Sequence, residues 1–414
     1  MRALRAPHCF DGVRFLPGGA TVVVDGGRIQ GIEPYGADLP ESCHVTSYDG
    51  TLLPGLVDVH THLVTDSGLN ALDRVAAYSP AEIEAVIVEG LRRQLASGVT
   101  TVRDLGDRDY AVVEHRDRQR HGSVVEPRIV AFGPPLTSPG GHCHYLGGEV
   151  DGPDQIRAAV RDRVERGADG VKVMASGGVH TPGTDVTSRQ FTDADLRLLV
   201  DEAHAAGLPV TAHAHALTAV RQAVVAGVEG IEHCSCVSER GFGDADDVLL
   251  AALADSGVAV CPTLGLDHGA MGDPPPSIRA MLERLGTTLE RMQVERAAFV
   301  ARLHAAGVRL VSGVDSGIQP PKAHGTLPFA VVELADAGIP ASVALASATS
   351  DAAQACGLEG VTGRLAAGLE ADLLAVDGDL SEDLGALHRP LAVVRGGTPA
   401  AVGRGVCRPP SPGP

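Results

Sequence analysis

The sequence predicts an α/β chain: a (β/α)8 TIM-type barrel set into a small composite β-sandwich domain built from the N- and C-terminal segments. Three observations predict it. Short apolar runs alternate with helical segments of roughly 10–20 residues through the middle of the chain, the rhythm of βα units around a parallel sheet. Gly98, Gly167, Gly207, Gly227, Gly257 and Gly307 each stand just ahead of such a run, where a C′ glycine ends a helix before the chain enters a strand. The third observation is a β-rich texture at both ends of the chain.

In order, residues 1–54 form the first part of the sandwich, with short β-rich runs and an Asp25-Gly26-Gly27 step between two of them, a hairpin signal. The barrel occupies 55–359. Its strands are expected at 56–62, 99–105, 128–133, 170–175, 208–213, 228–233, 258–262 and 308–315. Helical patterns fall at 80–96, 154–166, 193–206, 217–226 and 245–256, with a last one at 341–356. A doubly wound open sheet is the weaker alternative, because the turn after the first strand holds His-Thr-His where such folds carry a Gly-rich phosphate turn. Strand texture returns at 372–376 and 391–394, inside a second sandwich part at 360–408. The Pro-rich 409–414 tail reads as disordered.

The 414 residues are 44% apolar and 21% charged, ordinary globular usage that excludes wholesale disorder. A net charge of −18 argues against a nucleic-acid or anionic-membrane partner. No stretch of 18 apolar residues occurs and the first residues lack the apolar run of a secretory signal. The eight cysteines include no C-x-x-C pair and read as thiols of a reducing compartment. The expectation is a cytoplasmic enzyme acting on a small molecule, with homo-oligomerisation left open. Of the 34 basic residues only Lys172 and Lys322 are lysine, leaving 34 − 2 = 32 arginines. A lysine retained against that preference raises the question of what an ammonium does that a guanidinium cannot.

The sharpest local signal is Pro54-Gly55-Leu56-Val57-Asp58-Val59-His60-Thr61-His62. Side chains two apart on a strand face the same way, so His60 and His62 project together from the C-terminal end of the first barrel strand, where barrel active sites form. Two such imidazoles can share a metal ion; the bland alternative is a pair of hydrogen-bonded loop histidines. Lys172 sits mid-strand in an apolar run, where an ammonium is costly unless paired or discharged. Desolvation lowers its pKa, and the neutral amine can take up CO2 to give an anionic carbamate. A Schiff-base lysine, or one snorkelling to the rim, remains open. His213, with His215 two residues on, ends the fifth strand, His233 the sixth and Asp315 the eighth. Singly, each is an ordinary rim residue. Together, imidazoles, a bridging carbamate and a carboxylate make a two-metal hydrolytic site suited to Zn2+.

The segments LLPGLVDVHTHL, GVTTVRDLG, SPGGHCHY, GVKVMASGGV, VTAHAHA, GVEGIEHCS, VSGVDSG and TGRLAAGLEADLLAVDGD resemble the amidohydrolase superfamily. The likeness covers essentially the whole chain and is greatest to the imidazolonepropionase-like and prolidase-like branch (Xaa-Pro dipeptidases and metallocarboxypeptidases). The resemblance implies that His60, His62, His213, His233 and Asp315 ligate two divalent metals, that Lys172 is the carboxylated bridge, and that Asp315 shuttles the proton. It favours His213 over His215 as the fifth-strand ligand and places His142 of the GGH segment against the substrate. The retained lysine departs from imidazolonepropionase proper, which resembles a one-metal site. Arg103, Arg189 and His215 are weaker candidates for substrate contact. The implied activity is cleavage of an amide C–N bond, of a dipeptide or N-acyl amino acid, by a metal-bridging hydroxide. A cyclic-amide hydrolase of the hydantoinase or imidazolonepropionase type, a deaminase and a catalytically inert metal-binding barrel are the alternatives.

Overall fold

The computed structural model describes residues 1–122 and 124–400; the tail at 409–414 lies outside them. Seven strands open the chain: β1 (Arg2–Ala6), β2 (His8–Phe10), β3 (Phe15–Leu16), β4 (Ala20–Asp25), β5 (Arg28–Pro34), β6 (His44–Ser47) and β7 (Thr51–Pro54). The Asp25-Gly26-Gly27 step is the β4–β5 hairpin, with Asp25 opposite Arg28. Both turn glycines have positive φ, 56° and 79°, the backbone a type I′ turn requires.

Eight parallel strands follow: β8 (Leu56–Thr61), β9 (Val99–Asp104), β10 (Arg128–Ala131), β11 (Val171–Met174), β12 (Val210–Ala216), β13 (Gly230–Val237), β14 (Ala259–Cys261) and β15 (Arg309–Leu310). They divide into a three-stranded sheet, β10-β9-β8, and a five-stranded one, β11-β12-β13-β14-β15. Single residues join the two sheets at both seams. Leu136 receives the Met174 N–H and donates to the Lys172 carbonyl, both at 2.8 Å. On the other side Val59 N–H reaches Ser312 O at 3.2 Å and Asp315 N–H reaches His60 O at 2.9 Å. The result is TIM-barrel-like, and the second seam lies directly beneath the histidine pair.

All six strand-introducing glycines have φ between 69° and 92°, a left-handed conformation that glycine adopts without a Cβ penalty. The helix Pro80–Ala96 starts with a reciprocal capping box between Ser79 and Glu82. The expected eighth strand is the main discrepancy. Only Arg309–Leu310 pair in a ladder, and 311–315 run on held by individual hydrogen bonds. The expected 341–356 helix is broken into Ala341–Ser347 and Ser350–Ala355.

The chain ends in β16 (Leu373–Val376), β17 (Pro390–Arg395) and β18 (Thr398–Pro399). β16 pairs antiparallel with β7, Leu374 opposite Leu53, so both ends of the chain meet in one sheet, ordered β18-β17-β16-β7-β2-β3. The other sheet, β5-β4-β1-β6, is wholly N-terminal. Leu4, Val22, Ile29, Leu52, Leu373 and Val394 share one apolar cluster across the two sheets. Only Gly55 separates β7 from β8. A Cβ there would lie 2.2 Å from Thr100 Oγ1, so the chain passes from one part to the other without a linker. Among the described residues, no helix is long and apolar enough to cross a membrane.

Candidate metal centre

His60, His62, Lys172, His213, His215, His233 and Asp315 all line one cavity of about 210 Å³ at the C-terminal strand ends. Their donor atoms fall into two groups, His60/His62/Asp315 and His213/His215/His233, with spacings within 4.8 Å inside each. In the first group, Asp315 Oδ1 lies 3.3 Å from His60 Nε2 and 3.1 Å from His62 Nε2. In the second, the His215 ring stacks on His233 at 4.3 Å and 17°, and His213 packs edge-on against His233 at 4.6 Å. Burial opposes ionisation of Asp315, but His60 and His62 outweigh it and hold the carboxyl well below the usual carboxylate range. Burial drives the pKa of His213 and His233 well below the ordinary imidazole value, which keeps their ring nitrogens available as ligands.

A layer of partners fixes the rings. Gly106 O lies 3.1 Å from His62 Nδ1, and Thr263 Oγ1 lies 2.8 Å from His233 Nδ1. His60 Nδ1 is 2.7 Å from Glu232 Oε2; neither atom meets hydrogen-bond geometry, so the contact is a close charge approach. Glu232 Oε1 in turn accepts from Arg103 Nη2 at 3.0 Å and Thr211 Oγ1 at 2.7 Å. Occupying Nδ1 leaves Nε2 for the cavity, the arrangement that orients ligating imidazoles. His233 and Asp315 have φ of 65° and 66°. Left-handed non-glycine residues are uncommon and costly, and here two of them present side chains at the same spot.

Lys172 is the central anomaly. It is 1% exposed and its Nζ has no hydrogen-bond partner, with burial lowering its pKa to about 8. Asp58, from the same motif as the histidines, clamps the seam. Its Oδ1 accepts from His60 N and Val314 N, both at 3.2 Å, and its Oδ2 from Gln94 Nε2 and Ser316 Oγ, both at 3.0 Å. His142 lines the cavity with Nδ1 2.9 Å from Thr181 Oγ1 and its ring 4.6 Å from His213. A Cβ on Gly178 would lie 2.4 Å from His142 Nε2, so the glycine admits that ring.

Two expected substrate contacts are corrected. Arg103 is buried beneath the site, donating to Glu232, Val59 O and Ala355 O, and does not line the cavity. Arg189 is 40% exposed and paired with Asp193, again away from the cavity. His215 does line it and stands with His213 and His233 as a third imidazole. Sequence reasoning passed over Glu232, Thr211, Thr263 and Thr181, whose roles depend on pairings across strands. It also missed the excursion between β14 and β15, with helices Pro276–Arg284 and Leu289–Ala305, which roofs the cavity. Lys322, the second retained lysine, lines the same cavity.

Parallel strands lead into a constellation of histidines, a lysine and an aspartate around one cavity, with donor atoms that could hold a metal ion. Residues 51–402 match the amidohydrolase family, and the chain belongs to that family. It is 28% identical over 396 residues to ochratoxinase of Aspergillus niger, covering 86% of this chain and 77% of that protein. It is also 28% identical over 399 residues to imidazolonepropionase of Symbiobacterium thermophilum, covering 87% and 84%. The crystal structure of a Xaa-Pro dipeptidase with methionine bound in its active site superposes with a TM-score of 0.84 and 26% identity, over 96% of this chain and 99% of the other.

The family implies divalent metal, and the residues present fit it. An orphaned buried Nζ stands among imidazoles whose outer nitrogens are largely tied off, with donor atoms close enough to converge on an ion.

Proposed function

We propose that this chain hydrolyses the amide C–N bond of a dipeptide or N-acyl amino acid, using two divalent metal ions, Zn2+ first among candidates. One observation carries the proposal: the Lys172 amine, fully buried and without a partner, amid six donor side chains. A neutral amine there attacks CO2, its nitrogen forming the new C–N bond while a proton leaves, and the resulting carbamate offers two oxygens. His60, His62 and Asp315 would hold one ion and His213 and His233 the other, with the Lys172 carbamate between them. Bound ions of this type polarise a carbonyl and acidify water.

The chain's own residues supply the remainder. Asp315, kept ionised by its imidazole neighbours, accepts a proton on its carboxylate and returns it to the leaving nitrogen. Burial holds His142 neutral. Thr181 Oγ1 already accepts from Cys143 N at 3.0 Å, which leaves its hydroxyl proton for His142 Nδ1. His142 then carries its own proton on Nε2, where it serves as a neutral donor to the substrate oxygen. Residues 1–54 and 360–408 are read as one composite domain that carries the barrel. The seven described cysteines are all unpaired, in keeping with a reducing cytoplasm.

The similarity to a Xaa-Pro dipeptidase with methionine bound in its active site supports an amino-acid amide as substrate. The imidazolonepropionase similarity favours a cyclic amide as the second reading. A library of dipeptides, N-acyl amino acids and cyclic amides presented to the Zn-loaded protein separates them. Turnover confined to cyclic amides would overturn the proposal.

A further inference from the structure

Two cations stand beside the metal centre without a carboxylate partner. Arg296, on the helix Leu289–Ala305, donates from Nη2 to Pro262 O at 2.9 Å and to Thr263 O at 3.4 Å. Lys322 donates from Nζ to the same Thr263 O at 2.8 Å and to Val314 O at 2.7 Å. Among the described residues neither is in an ion pair. Two acids act on both, Asp315 and Glu333: Asp315 Oδ1 lies against His60 and His62, and Glu333 turns its oxygens to Gly265 N at 2.9 Å and Leu266 N at 2.7 Å. Asp273, the other cavity acid besides Asp315, is exposed.

Their anchorage fixes where these charges stand. Thr263 meets the two cations through its carbonyl and His233 through its hydroxyl, and Val314 immediately precedes Asp315. The cations are therefore braced on the backbone that also braces two proposed ligands, and both line the cavity. Burial lowers the pKa of Lys322 to about 8 and that of Arg296 below its ordinary value. A poorly hydrated cation pair of this kind is stabilised by an anion, and the guanidinium still has its Nε and Nη1 donors to offer one. The wall beyond is apolar and adaptable: Phe242, Met271, Ile278, Met281, Leu289 and Met292, with thioethers that mould to irregular shapes.

We infer, resting on the amide-hydrolase reading above, that Arg296 backed by Lys322 binds the free carboxylate of an N-acylated amino acid whose bulky apolar side chain fills the methionine-lined wall. Arg296 is thus a specificity residue. Recognition is by charge at one end and by shape at the other.

The test compares N-acetyl-L-leucine with N-acetyl-3-methylbutylamine, its analogue without the carboxylate, on the Zn-loaded enzyme. Wild-type protein is expected to prefer the acid. Arg296→Gln should raise KM for the acid by about 10- to 100-fold, the range for losing a hydrogen bond to a charged group, and lower kcat/KM for the neutral analogue by a much smaller factor. Arg296→Lys, which keeps the charge but not the fork, should recover part of the loss. Equal losses on both substrates, or a wild-type enzyme indifferent to the carboxylate, overturn the inference. Calorimetric titration of L-leucine and of 3-methylbutylamine into wild type and Arg296→Gln gives a readout independent of turnover. Leucine binding that weakens in the variant supports the inference even if neither amide is cleaved, in which case only the hydrolase reading fails. Leucine binding unchanged in a variant that keeps its melting temperature overturns the inference.

Discussion

Lys172→Ala should lose most of the bound metal and activity, because it removes the side chain proposed to lie between the ions. Formate or acetate added to the medium should restore part of the turnover by occupying the vacated space. Lys172→Arg should not recover, since a guanidinium stays cationic and cannot take up CO2; near-normal turnover in that variant would refute the assignment. Asp315→Asn keeps the size and one oxygen but not the basicity. A kcat loss of about 10²–10⁴ with much of the metal retained is expected for losing a general acid–base group. The acidic limb of its pH–rate profile should change too, and an unaltered limb with parental turnover would reduce Asp315 to a ligand. At this scale the sequence was unusually legible. Candidate ligands announce themselves by spacing, as His60 and His62 do, or by cost, as a lone lysine in an apolar strand does. Residues that act through another side chain carry no such mark. Glu232 is one position from His233, yet only the strand register turns it beneath His60 and onto Arg103. The same register took Arg103 away from the substrate.

At the scale of loops and strands, close approaches do the positioning. Gly178→Ala should push the His142 ring aside and cost up to about 10²-fold in kcat/KM, as small displacements at a reacting centre do, with metal content unchanged; kinetics and elemental analysis on one preparation check both halves. The loop after β9 supplies a pH prediction. Asp107 is buried, with Oδ2 accepting from Val112 N at 3.0 Å and Oδ1 unpartnered. Burial, with the Asp104 charge added, raises its pKa to about 8, far above the ~3.9 of an unfolded chain. The folded state therefore holds a proton that the unfolded state releases, and stability falls as pH rises from about 4 to about 8. Asp107→Asn should flatten that fall in urea midpoints measured across the range; a slope equal to the parent's would contradict it. The βα rhythm and the helix-ending glycines were readable because each has a local backbone cause. The shortness of β15 was not, since the residues after Leu310 bond singly, Val311 to Val260, Ser312 to Ser347 and Asp315 to His60, rather than in a ladder. The roof between β14 and β15 was equally hidden, because part of its apolar surface, Ile278, Met281, Leu289 and Met292, faces a cavity and not the core.

For the molecule as a whole, both ends of the chain meet in the β7–β16 pairing, and the barrel between them converges its strand ends on a single cavity. The chain carries a net charge of −18, yet two cations without an ion-pair partner, Arg296 and Lys322, line that cavity. Cations so placed beside the proposed metal centre favour the entry of a small anion. The central claim is that six side chains from five barrel strands and their ends, Lys172 carboxylated among them, hold two ions. Elemental analysis of protein prepared with bicarbonate and Zn2+ addresses it most directly, because ligand deprotonation and metal binding are coupled. About two ions per chain is the result predicted; a single tightly held ion, with Lys172 unmodified, would contradict it.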